Sequence, residues 1–321
     1  MTSWKRLLRC TVAGLVLAAG AGAQAQQQSG TLRIVVPLAP GGGGDIVARL
    51  VATKLQAVLG QPVIVENKAG GATVIGTDQV AKAPPDGQTL LMATSSHVVN
   101  PSLLKLPYDP VKDFAGVSLI ATSPLMLVVN AKSPAKSLPE LMQIAKAQQK
   151  PMTFASSGIG GLPHLSGELF SRLADVKLTH VPYKGSGPAE LDLLGGQVDM
   201  YFASPSSAAP HVQSGKLRAL AVTSTSRSHA FPDLPAMAEH VPRFESGTFY
   251  ALVAPAGTPP AVLERLSAAV KKVAEMPDVQ QKMAEIGADL VASSPADTMK
   301  FLESQIRQWE GVVRGANIKV D

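Results

Sequence analysis

Cysteine is almost missing from this chain: Cys10 is the single one among 321 residues. It precedes an apolar run, "TVAGLVLAAGAGA", that follows the basic residues Lys5, Arg6 and Arg9 and closes on Ala-Gln-Ala at 23–25. That pattern predicts a signal peptide cleaved near Ala25. The exported chain then has no disulfide, no thiol nucleophile and no cysteine-held metal. About 300 residues can bury two sizeable cores without cross-links. No later run reaches the roughly 18 apolar residues of a transmembrane helix. Basic excess is missing too. Without the three leader charges, the formal charge of +5 falls to about +2. The positive residues are scattered, with Lys271-Lys272 about the densest pair, so the basic stripe of a nucleic-acid binder is absent. Aromatics make up 4% of the chain, too few to suggest a large aromatic cage.

What is present is a repeated alternation of short β-rich runs and helical patterns, the mark of an α/β protein with mostly parallel sheets flanked by helices. A strand is expected at 32–36, then a helix near 44–59 with an apolar stripe of Ile46, Val47, Leu50, Val51, Leu55 and Val58. Strands at 62–67, 89–94 and 125–130 follow, with a helix near 72–82. The pattern restarts at 152–170 as strand, glycine loop and helix. Further strands are expected at 178–183, 198–204, 217–224 and 248–257, and helices near 259–275 and 298–314 with a shorter one between them. This predicts two α/β domains. The first is discontinuous, 26–127 plus 250–321, the second is 128–249, and the apolar runs near 125–130 and 248–254 are the crossings.

Two glycine loops interrupt the pattern at matching places. "PLAPGGGGD" (37–45) and "SSGIGGLPH" (156–164) each follow a strand and open a helix. Helix N-termini carry unpaired N–H groups and a partial positive charge, so glycines there let an anion approach bare backbone. The dipole contributes about 0.3–1 kcal/mol, and desolvating a carboxylate costs several, so several hydrogen bonds must be supplied as well. Neither loop contains Arg or Lys, which points to a small carboxylate held by amides, hydroxyls and water rather than to a phosphate. Asp45 reads as a helix N-cap in preference to a ligand contact. Ser156 and Ser157 suit either role.

Enzymatic signatures are missing. Ile46 and Pro163 break both potential G-x-G-x-x-G fingerprints, and no phosphate-loop motif exists. "YKGSGP" (183–188) has Lys184 where a nucleophile elbow needs glycine. His164 and Glu168 stand four apart on one expected helix, a weak metal signal. His164 is read instead as a first-turn residue shaping a cleft, and His97 as a loop residue at a strand end. Tyr183 and Phe202 are of the type that more often packs in a core than stacks on a ligand. No cofactor, catalytic residue or metal site is expected.

Seven segments, taken together and in order, resemble the Bug-type solute-binding receptors associated with tripartite tricarboxylate transporters. They are 37–49, 63–91, 100–122, 156–170, "VPYKGSGPAELDLLGGQVDMYF" (181–202), 214–228 and "LVAPAGTPP" (252–260). The resemblance implies a two-domain periplasmic binding protein, a Venus-flytrap of class II type, closing on a small organic acid, mono- or dicarboxylate. The two glycine loops would be its pincers. The implied ligand-binding residues are Pro40, Gly41, Gly42, Gly43, Gly44 and Asp45; Ser95 and Ser96; and Ser156, Ser157, Gly158, Gly160, His164 and Tyr183. The implied partners are the membrane permease subunits of a tripartite transporter, with the receptor itself a monomer. Two departures affect the pocket: Leu38 replaces the usual phenylalanine, and "GIGGLPHL" lacks the usual serine. Two other readings remain open, a subunit presenting its ligand to a membrane sensor kinase and a periplasmic hydrolase or isomerase of small acids.

Overall fold

The computed structural model describes residues 30–183 and 185–319. The signal peptide expected at 1–25, with Cys10, and Lys184 lie outside the described residues. From Leu32 onward the chain forms one compact unit.

It opens with β1 (Leu32–Val36), where Leu32, Ile34, Val35 and Val36 are wholly buried. Such a β-branched run suits a strand covered on both faces. Helix α1 (Gly43–Leu59) follows and ends at Gly60, whose left-handed φ of 65° lets its amide bond the Gln56 carbonyl. β2 (Val63–Asn67), α2 (Val74–Ala81), β3 (Thr89–Ala93), α3 (Ser95–Leu103) and β4 (Phe114–Pro124) complete the first pass. β5 (Met126–Asn130), α4 (Leu138–Ala147), β6 (Met152–Ser156), α5 (Leu162–Ala174), β7 (Leu178–Pro182), α6 (Ser186–Leu194), β8 (Met200–Ala203), α7 (Pro205–Gln213) and β9 (Leu217–Val222) make the second. The chain then returns through β10 (Gly247–Pro255), α8 (Pro260–Ala274), α9 (Pro277–Glu285), β11 (Asp289–Leu290) and α10 (Pro295–Gly315). Proline occupies the first turn of α4, α5, α7, α8, α9 and α10, where its missing N–H costs no helical bond.

The first sheet has the order β11-β4-β10-β3-β1-β2 and the second β7-β6-β8-β5-β9. Both are mixed, which corrects the expectation of mostly parallel sheets. β1 pairs in parallel with β2 and β3, and β6 with β7 and β8, but β10 runs against β3 and β4, and β5 against β8 and β9. The antiparallel strands are the ones at which the chain changes sheet. Such a strand enters the new sheet at the edge where it left the old one, so it runs against the neighbours that end there.

This topology places the two loops. β4 and β3 both oppose β10, so Pro124, the end of β4, lies on the edge where β1 and β3 end. Two residues later Met126 begins β5 and pairs with Ala203, the last residue of β8. The crossing therefore joins the carboxyl edge of one sheet to the carboxyl edge of the other. Both glycine loops lie on these edges, where α/β proteins bind ligands.

Thr223 ties the crossings together. Fully buried, it accepts from the Leu125 amide at 2.7 Å through its hydroxyl, which also donates to the Ser246 carbonyl. Its backbone bonds both segments as well, at 2.9 and 3.0 Å. On the other side α10 packs against α3, β4 and α5. Arg172 on α5 donates to the Gly311 carbonyl at 2.9 Å, and Gln308 to that of Glu245 at 2.7 Å. Trp309 on α10 is completely buried within the apolar cluster that also holds Leu91, Leu127 and Phe154.

Candidate functional site

The loop after β1 is built around Asp45. Gly42, not Asp45, occupies the N-cap of α1. Asp45 is the third helical residue and reaches back to accept the Gly41 amide at 2.9 Å. Its oxygens also accept from Arg49 Nε and Nη2, each at 3.0 Å, and from Asn67 Nδ2 at 2.9 Å. Asn67 in turn donates to the Leu38 carbonyl at 3.2 Å, so the end of β2 and the loop share one network. Burial pushes the Asp45 carboxyl upward, and the bonds from Arg49, Gly41 and Asn67 outweigh it, holding it at about 2. Asp45 thus shapes the loop as a buried, fully engaged anion.

The four glycines have separate reasons. Gly41 has φ +88°, a conformation that side chains disfavour. A Cβ on Gly43 would overlap the Tyr250 hydroxyl, which comes up from β10 beneath the loop. A Cβ on Gly44 would press on Leu38 at 3.2 Å, whereas one on Gly42 would meet nothing nearer than 3.9 Å. Packing against Tyr250 therefore accounts for Gly43, and backbone conformation for Gly41. Pro40 and Gly41 to Gly43 are exposed, and while the Asp45 and Ile46 amides bond the Gly42 carbonyl, those of Gly43 and Gly44 have no carbonyl within their own helix. Ser95 and Ser96 open α3 after β3, with Ser95 Oγ 3.4 Å from Thr248 Oγ1 on β10.

The loop after β6 is held differently. Buried Ser156 bonds Gly158 at both ends, Oγ to carbonyl at 3.1 Å and amide to Oγ at 3.2 Å. Its Oγ lies 2.6 Å from His180 Nε2. Gly160 donates its amide to His164 Nδ1 at 3.1 Å, and Gly161 is the N-cap of α5. The His164 and His180 rings stack at 3.7 Å with Phe154 beside them. Burial, followed for His164 by its neighbour's charge, lowers both imidazoles to about 4. Two backbone bonds, Tyr183 to Ser156 and Gly185 to Ser157, fasten the segment after β7 alongside. Tyr183 donates its hydroxyl to Asp192 at 2.7 Å, and burial together with that carboxylate pushes it up to about 12.

The sequence-derived residues thus form two groups. Pro40–Asp45 with Ser95 and Ser96 stand at the ends of β1 and β3, and Ser156–His164 with Tyr183 at the ends of β6 and β7. His97 departs from expectation. It lies in α3 rather than a loop, is 3% exposed, bonds the Pro110 carbonyl at 2.9 Å and packs against Phe114. Among the described residues no three His, Cys, Asp or Glu side chains are grouped to hold a metal ion.

The model of the tripartite tricarboxylate transporter family receptor matches residues 47–318. The chain belongs to this family. Protein BugT of Bordetella pertussis is 40% identical to this receptor over 294 residues, 90% of each chain. MatC from Rhodopseudomonas palustris, solved with bound malate, is 34% identical with a TM-score of 0.68, over 88% of the receptor and 98% of MatC. A second Rhodopseudomonas palustris protein, solved with adipate, is 34% identical with a TM-score of 0.72, over 90% and 98%. The receptor is a solute-binding protein with the two-domain α/β fold of periplasmic binding proteins.

Sequence reasoning missed several residues that build the receptor's loops. Tyr250 and Thr248 sit in an apolar strand and read as core. His180, in the middle of β7, and Asn67, at the end of β2, are single polar residues, and only pairing brings them under the loops. Tyr201 is buried on β8, with Ser186 and Ser157 near its hydroxyl. A separate cavity of about 370 Å³ opens at the crossings, lined by Ser123, Ser226, Glu245, Thr248, Asp289 and Gln305 among others. No residue of either glycine loop lines it.

Proposed function

We propose that this receptor captures a small organic acid, mono- or dicarboxylate, in the periplasm and delivers it unchanged to the membrane permease subunits of a tripartite transporter. The lobes are 26–127 plus 250–321 and 128–249, and the exported monomer begins after cleavage near Ala25. One carboxylate is held by Pro40–Gly44, on the loop that Asp45 anchors, with Ser95 and Ser96, and the opposite lobe closes with Ser156, Ser157, Gly158, Gly160, His164 and Tyr183. The observation that carries this reading is the pair of helix N-termini on facing edges, with Arg49, the basic side chain next to the first loop, already committed to Asp45 and Asn67. Amides and hydroxyls then supply the hydrogen bonds, and the helix ends supply the positive potential. Malate in MatC and adipate in the second Rhodopseudomonas palustris protein support the ligand class. Closure follows from a ligand touching both lobes, since only differential affinity shifts such an equilibrium.

The test is a native mass spectrum of freshly purified mature protein, with identification of any small molecule released on denaturation, followed by a thermal-shift screen of carboxylates. An organic acid recovered intact supports the proposal. A ligand at about 100 times Kd adds roughly 2.7 kcal/mol of stability, so a screen of mono- and dicarboxylates with no shift at millimolar concentration counts against it. A chemically altered acid points to catalysis instead.

A further inference from the structure

The stacked imidazoles beneath the second loop are more than filling. We infer that His164 and His180 are a positioning pair that fixes the 156–161 loop and does so only while His164 Nδ1 carries no proton.

Three contacts carry this. The Gly160 amide can only donate, so His164 Nδ1, 3.1 Å away, must present a lone pair. A proton on Nδ1 would set two N–H groups against each other and release Gly160. The rings lie 3.7 Å apart with planes 9° from parallel, a separation at which two like charges in a partly buried site repel strongly. His180 Nε2, at 2.6 Å from Ser156 Oγ, connects the pair to the other half of the loop, because Ser156 bonds both the amide and the carbonyl of Gly158. One ring therefore holds Gly160 and the other, through Ser156, holds Gly158.

The surroundings do not favour a cation. β6 contributes Phe154 and Ser156, neither of them charged. Glu168, on the same helix as His164, has Oε1 3.7 Å from His164 Nε2. It is a weak counter-charge because burial raises its own carboxyl. Burial lowers both rings to about 4; because Ser156 gives its proton to the Gly158 carbonyl, His180 Nε2 donates to Ser156 in either charge state, and acid acts on the loop through the His164 lone pair.

Where 156–161 is the second pincer, as proposed above, this makes ligand grip sensitive to acid. The loop geometry itself is testable without any ligand. The experiment is an NMR titration of uniformly labelled mature protein from pH 7.5 to 4, following the Gly158 and Gly160 amides and the two histidine rings, with circular dichroism confirming that the fold persists. Wild type is compared with His164→Asn, whose side-chain oxygen can occupy the Nδ1 position and accept from Gly160 but cannot be protonated, and with His180→Gln. The Gly160 amide of wild type is expected to shift with the His164 ring at a common midpoint, to keep its neutral-pH position in His164→Asn, and to lose its pH dependence there. In His180→Gln the His164 midpoint is expected to move upward. A Gly160 amide indifferent to the His164 titration, or one that titrates equally in His164→Asn, overturns the inference. Failure of carboxylate binding with this result intact would remove the proposed ligand and leave the positioning pair standing.

Discussion

Gly43→Ala separates the two reasons a glycine can stand in a ligand loop. The new methyl would coincide with the Tyr250 hydroxyl and lie 3.3 Å from the ring carbon that bears it. Tyr250 is 7% exposed within the first sheet's core, so the ring has little room to retreat. Overpacking of this kind costs about 1–3 kcal/mol. Alanine is favoured over glycine by up to about 1 kcal/mol in helix interiors, and by less at this first helical position. The expected net loss is roughly 1–2 kcal/mol, read from urea denaturation of the ligand-free protein at pH 7. Tyr250→Phe removes the overlapping oxygen, so Gly43→Ala in that background should recover most of the loss, with a coupling of about 1 kcal/mol. A single mutant as stable as wild type, or a cycle with no coupling, refutes the packing argument. Gly42→Ala is the complementary probe. Its methyl meets nothing closer than 3.9 Å, so only the poorer capping preference of alanine at this N-cap is felt, about 0.5–1 kcal/mol. Weakened carboxylate affinity in Gly42→Ala then reports a ligand close to that backbone.

Asp45→Asn should destabilise the receptor by about 1 kcal/mol at neutral pH, a value that allows for solvent screening of half-exposed Arg49. The carboxyl is lowered from 3.8 to about 2, so its contribution is complete above pH 4 and fades as pH falls through 2. Denaturation of the mutant at pH 7 checks this, and equal stability would show that the network around Asp45 contributes nothing. Thr223→Val strands the Leu125 amide and the Ser246 carbonyl, with an expected cost of about 1–3 kcal/mol. Thr223→Ser, which keeps the hydroxyl, should lose less, and the reverse order would sink the role given to that group. Three imidazoles, His97, His164 and His180, fall from 6.5 to about 4 on folding, each chiefly through burial. Between those values the unfolded chain binds protons that the folded one refuses, so their contribution is complete above pH 6.5 and declines as pH falls toward 4. Denaturation midpoints that stay level from pH 6.5 to 4.5 would contradict this.

Elements with strong local signals were legible in the sequence. The β-branched run 32–36, the apolar stripe of 43–59 and the paired strand–glycine–helix units announce themselves because burial and capping are encoded within a few residues. Helices α3 and α7 were not legible. They read "SSHVVNPSL" and "PSSAAPHVQ", with internal Pro101 and Pro210, and local propensity argues against them. β4 was missed as well: "FAGVSLIATSP" gives little alternation because helices α8 and α10 pack against it and bury nine of its eleven residues.

By itself, then, the sequence determined the α/β class, the two loops and the residues at their tips, since these depend on neighbours in the chain. Tertiary structure decided what those residues do. Asp45 became an engaged loop anchor because β2 brings Asn67 beside it, Gly43 became the favoured residue because Tyr250 arrives from a strand 207 residues later, and His97 packed into the core. The neutral His164–His180 stack exists because β6 and β7 pair in register, setting Phe154 opposite His180. Contacts between residues far apart in sequence leave no periodicity behind, and only the assembled sheets bring them within bonding distance.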